Sequence, residues 1–109
     1  MLKLHDDLTQ TQAQLAGALD REGLSEHADE LRSATRDEVA AVSRRITAAL
    51  YDRQPRRLAD ACAAFELAAR HGTQPGLEDI AARNLRNARR FAGLPVPPGV
   101  GAAPDRSRD

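Results

Sequence analysis

The residues best suited to chemistry in this sequence are three arginines and an asparagine near its C-terminal end. Arg83, Arg86 and Arg90 recur at helical spacing, with Asn87 beside them. At about 100° per residue, the three arginines lie within about 60° of one another on a helix. Guanidinium groups bind carboxylates and phosphates through paired hydrogen bonds. The spacing therefore indicates either an ordinary solvent-exposed helix face or a face that binds an anionic partner.

A second group of arginines consists of two adjacent pairs, Arg44 with Arg45 and Arg56 with Arg57. These pairs belong to a chain whose net charge is zero but whose two halves are opposite. Residues 1–38 carry four basic and nine acidic side chains, whereas residues 39–94 carry ten basic and five acidic ones. Such halves can pair within one molecule, pair two molecules or offer a basic surface to an anionic partner. The second group is therefore a further candidate binding patch.

The residue types that catalysis requires are not arranged for it in this sequence. There is no glycine-rich phosphate loop, no nucleophile elbow and no pair of carboxylates on an inward helix face. His5, His27 and His71 are far apart, and none has a cysteine or histidine at metal-ligand spacing. Cys62 is the single cysteine and is expected to be a small buried residue. We expect a non-enzymatic protein with no metal and no cofactor.

Periodic apolar residues predict four helices that position these groups, over residues 2–22, 24–53, 55–70 and 77–92. Gly23 ends the first helix, because glycine accepts the left-handed conformation of a helix terminus. The second helix is predicted to be continuous and ~43 Å long at 1.5 Å per residue. The alternative is a break near residues 33–35, since Thr35 and Glu38 have the spacing of a capping box.

The fourth predicted helix carries the first group of arginines opposite an apolar stripe. Asp79 shares the arginine face and is expected to pair with Arg83 at i,i+4. The residues predicted to face inward are Leu77, Ile80, Ala81, Asn84, Leu85, Ala88 and Phe91.

These elements predict an all-α fold, an antiparallel bundle of about four helices with one long central helix. Residues 1–94 are expected to form a single domain and residues 95–109 a disordered tail rich in proline, glycine and alanine. The alanine-rich core is thin, and the long helix leaves apolar surface uncovered, so we expect a homodimer. No signal peptide or membrane span is evident, which favours a cytoplasmic protein with no membrane partner.

These expectations favour a small protein-interaction module, an adaptor, chaperone or regulator, that presents an arginine-lined helix to an acidic partner or to itself. The alternative is a nucleic-acid-binding regulator that uses the same arginine and asparagine face. Neutral overall charge and the acidic residues Glu78 and Asp79 at the start of the helix argue against phosphate-driven affinity.

Overall fold

The chain folds as an arrangement of helices, as a computed structural model describes for residues 2–53 and 56–95. Within those two stretches there are five α-helices and no strand: α1 (Leu2–Arg21), α2 (Ser25–Ser33), α3 (Val39–Leu50), α4 (Arg57–His71) and α5 (Glu78–Ala92). They form a compact globule with a Cα radius of gyration of 13.1 Å. The predicted all-α class is confirmed. Residues 96–109, nearly all of the predicted tail, lie outside the described residues.

Two glycines end helices in the way the sequence predicts. Gly23 follows α1 with φ 79°, and Gly93 follows α5 with φ 75°, both in the left-handed region that glycine adopts without steric cost. After α5, the Gly93 N–H donates to the Arg90 carbonyl and the Leu94 N–H to the Arg89 carbonyl, at 3.1 and 2.8 Å. The chain therefore turns back sharply, and Leu94 packs against the core.

The prediction of one continuous helix over residues 24–53 is wrong. α2 ends at Ser33 and α3 begins at Val39, so the alternative break is the one observed. The Thr35 N–H donates to the Glu38 carboxylate at 3.0 Å, while the Thr35 carbonyl accepts the N–H groups of Glu38 and Val39. The carboxylate takes a backbone donor that a continuous helix would have used internally, and a new helix starts.

A side chain of α1 stabilises the end of α2 at the same place. The Gln12 amide donates to the carbonyls of Leu31 and Ala34, at 2.8 and 2.9 Å. Carbonyls at a helix end need partners from elsewhere, and this amide supplies them. The break removes one of the two grounds for the predicted homodimer, the apolar surface of a long continuous helix, while the other ground, the alanine-rich core, is unaffected. The homodimer therefore stays a prediction.

The core lies where α4 packs against α1, α3 and α5. Its largest apolar side chains are fully or almost fully buried: Leu15, Leu19, Leu31, Ile46, Leu50, Phe65 and Leu85. Around them α4 and α5 contribute mostly alanines. Small side chains let helices approach closely, so the core depends on close packing more than on bulk.

Cys62 lies inside this core with an exposure of 0 %. Burial raises the pKa of its thiol to about 12, because the thiolate is poorly solvated there. We expect a thiol reagent such as Ellman's reagent to react at least about 100-fold more slowly with the native protein than with the urea-unfolded protein. Equal rates in a stopped-flow assay would show that Cys62 is accessible.

The hydrogen bond from the Thr35 N–H lowers the pKa of the Glu38 carboxyl from its ordinary value of 4.5. Because the folded-state pKa is lower, the bond stabilises the fold fully above pH 4.5 and loses its effect as the pH falls through the lower value. We expect Glu38→Ala to lower the urea midpoint at pH 7 and to lower it less at pH 3. The matched control is Asp37→Ala, an exposed neighbour in the same connection. An equal loss for Glu38→Ala at both pH values would contradict the role of the charge.

Candidate functional site

The orientation of α5 differs from the sequence prediction. Its buried residues are Ala81, Leu85, Ala88, Arg89 and Ala92. Ile80 and Phe91, predicted to face inward, are 40 % and 43 % exposed. On a helical wheel the buried face is rotated by roughly 60° from the predicted one, toward Arg89.

Arg89 lies on the buried side of this rotated helix. The side chain is 1 % exposed and is the largest fully buried one in the described residues. Its Nη1 donates to Gln14 Oε1 of α1 at 2.6 Å and to the Pro95 carbonyl at 2.9 Å. Burial lowers the pKa of the guanidinium, and the charge of Asp7 partly offsets that effect. Arg89 therefore joins α1, α5 and the chain that follows α5.

The sequence alone does not predict that Arg89 is buried, because arginine is usually a surface residue. A signal was present, since Arg89 lies four residues after Leu85 and three before Ala92, both of which are buried. By helical spacing, position 89 therefore lies at the edge of the apolar side of α5 that packs against the core.

The predicted arginine face points away from the core. Arg83 and Arg90 are exposed, whereas Arg86 and Asn87 are half-buried. No carboxylate of the described residues lies within 4 Å of any of the three arginines, and the predicted ion pair of Asp79 with Arg83 is absent. The face therefore holds cationic groups that are not neutralised by a close carboxylate in the described chain.

Three of the four arginines in the second group contact other side chains of the same molecule. Arg45 pairs with Glu30, and Arg57 lies 3.7 Å from a carboxylate oxygen of Glu22. The Arg56 guanidinium stacks on the exposed ring of Tyr51, 4.4 Å from its centroid. Arg44 is exposed. The acidic and basic halves are thus paired in part within one molecule.

The arginine face of α5 borders two exposed apolar side chains, Ile80 and Phe91, with Asn84 and Asn87 between them. Ile80, Asn84, Asn87 and Phe91 follow each other at intervals of four, three and four residues, so they share one side of the helix. Arg83 and Arg90 lie on the adjoining side by the same spacing rule. We call this combined surface, Ile80, Arg83, Arg86, Asn87, Arg90 and Phe91, the α5 face.

Across the described part of the chain, no group of three His, Cys, Asp or Glu side chains is placed to hold a metal ion. None of the helices in that part is both long and apolar enough to cross a membrane. The chain matches no protein-family model, no curated protein and no solved structure. What the α5 face does must therefore be argued from its own chemistry.

Replacing Arg89 tests the contact that orients this face. We expect Arg89→Ala to lower the free energy of unfolding by ~3 kcal/mol, because it removes a large buried side chain and leaves a cavity. Arg89→Met retains most of the volume and is expected to lose less. The control is Arg90→Ala, an exposed neighbour whose replacement changes stability by no more than ~0.5 kcal/mol. Equal urea midpoints for the two alanine variants would contradict the role of Arg89.

Proposed function

We propose that this protein is a non-enzymatic interaction module, an adaptor, chaperone or regulator, whose α5 face binds an acidic, partly apolar surface of a protein partner. The observation that supports the proposal is that three arginines without a carboxylate partner lie together on one helix face, whereas half of the second arginine group is paired with carboxylates. Arg45 and Arg57 have carboxylate partners within the molecule, whereas Arg83, Arg86 and Arg90 have none within 4 Å in the described residues.

The apolar residues beside the arginines favour a protein over a nucleic acid. Ile80 and Phe91 are large and about two-fifths exposed, and protein interfaces combine an apolar centre with a polar rim. Nucleic-acid affinity comes mainly from phosphate neutralisation by a strongly basic surface. The chain has a net charge of zero, and Glu78 and Asp79 begin the helix. An acidic amphipathic helix or loop fits these properties better than a duplex.

A second copy of the chain is one candidate acidic partner, since residues 1–38 carry an excess of acidic side chains. Sedimentation at high micromolar concentration separates this case from a different partner. A dimer that charge reversal on α5 dissociates assigns the acidic surface to the second copy. A monomer assigns it to another protein.

The test is charge reversal with a matched control. The variant is Arg83→Glu with Arg90→Glu, because both side chains are exposed and their loss leaves the core intact. The control is Arg21→Glu with Arg53→Glu, which are also exposed and change the net charge equally. Partners are captured from native lysate, purified and titrated against all three proteins. We expect the α5 variant to bind at least about tenfold more weakly, and the control to bind like the original protein.

Two outcomes would reject the proposal. An unchanged partner affinity in the α5 variant would remove the α5 face from binding. Binding of a labelled duplex or single strand at low salt, with a steep loss as salt rises, would assign the face to nucleic acid instead.

A further inference from the structure

Two adjoining cavities lie along the first half of α1, away from the α5 face. The first has a volume of about 350 Å³ and is lined by His5, Thr9, Gln12, Ala13, Arg32, Ala34 and Arg36. The second has a volume of about 320 Å³ and is lined by Leu4, His5, Leu8, Arg36, Gly72, Thr73 and Glu78. His5 and Arg36 line both cavities. Each is of the size that small-molecule sites have in proteins.

The polar wall of the first cavity is held in place by contacts with its surroundings. The Gln12 amide is fixed on the two carbonyls at the end of α2. Arg36 Nη2 donates to Thr9 Oγ1 at 2.6 Å. Arg32 is fixed by Asp20 and Asp29, at 2.7 and 2.9 Å. Because these side chains are already held in place, binding a ligand between them costs little conformational entropy.

The charge of this cavity points to an anionic ligand. No carboxylate is among the residues that line it, and the charge of Arg32 is offset by Asp20 and Asp29. Arg36 has no carboxylate within 4 Å in the described chain, and its Nε and Nη1 are buried without a hydrogen-bond partner there.

The second cavity suits an apolar group rather than an anion. Leu4 and Leu8 contribute apolar wall. Gly72 lets the end of α4 lie close to Leu8 of α1, because a Cβ at position 72 would lie 3.2 Å from Leu8 Cδ1 and 3.0 Å from the Ala68 carbonyl oxygen. Its one carboxylate, Glu78, accepts the Gly76 N–H at 3.0 Å and would repel a second anion. An anionic group therefore belongs in the first cavity and an aliphatic chain in the second.

We propose that these two neighbouring cavities, which share His5 and Arg36 in their walls, together bind a small amphipathic carboxylate, with its carboxylate beside Arg36 and His5 and its aliphatic chain between Leu4 and Leu8. The site is separate from the proposed partner surface, since Glu78 is its only α5 residue.

The probes are octanoate, octan-1-ol and acetate, added to the full-length protein and followed by amide chemical shifts. Octanoate has both the charge and the chain, whereas each of the others lacks one of them. We expect saturable octanoate binding with a Kd below about 1 mM, and shifts concentrated at residues 4–13, 32–36 and 72–73. Octan-1-ol and acetate are each expected to bind at least about tenfold more weakly.

Two variants test the two features of the site. Arg36→Gln removes the cation, and Ala13→Leu fills the first cavity from an exposed position without changing a charge. Both are expected to weaken octanoate binding at least about tenfold. The control is Arg44→Gln, an exposed arginine outside both cavities, which is expected to bind octanoate as the original protein does.

The proposal is overturned if octanoate shows no saturable binding up to about 10 mM, or if octan-1-ol binds as tightly as octanoate. It is also overturned if a folded Arg36→Gln protein keeps its affinity. Circular dichroism shows whether Arg36→Gln is folded. If it is not, the octanoate affinity of Ala13→Leu tests the proposal instead. None of these results bears on the affinity of the α5 face for a protein.

Discussion

The burial of the Arg89 guanidinium is the constraint on which the arrangement of α5 depends. A charged group this deep needs polar partners, and its Nη1 donates to the side chain of Gln14 and to the carbonyl of Pro95, whereas Nε and Nη2 have no partner in the described residues. Once Arg89 points into the junction with α1, the rotation of α5 is settled. Phe91 and Ile80 must then turn outward, next to the arginines. The exposure of Ile80 and Phe91 and the burial of Arg89 are two consequences of one orientation of α5.

Ion pairs within the molecule explain how a chain with zero net charge can have a basic surface. The acidic start of the sequence folds against arginines of later helices, as in Glu30 with Arg45 and Glu22 with Arg57. These exposed pairs contribute little to stability individually. Their effect on function is larger, because they neutralise arginines that would otherwise compete for an anionic partner. Arg83, Arg86 and Arg90 have no such carboxylate within 4 Å in the described residues, and they lie together on one helix, so α5 keeps a basic face.

The break between α2 and α3 creates the cleft beside α1. Glu38 takes the backbone donor of Thr35 and starts a new helix. Gln12 then fixes the freed carbonyls at the end of α2. Arg36 lies in the short connection between these two contacts, where its guanidinium reaches Thr9. A continuous helix would have left no connection for Arg36 to occupy and no polar wall for a cavity.

The sequence by itself determined the helical class, the ends of α1 and α5 and the outward direction of Arg83 and Arg90. These features follow from local periodicity and from glycine conformation, which neighbouring residues encode. The sequence could not decide between a continuous and a broken second helix, because the spacing of its apolar residues is compatible with both. The Gln12 amide, which binds the carbonyls at the end of α2, comes from another helix. The sequence also could not foresee the burial of Arg89 or the pairing of Arg45 and Arg57. Each of these depends on partners distant in the chain, whose approach only the packing of the helices decides.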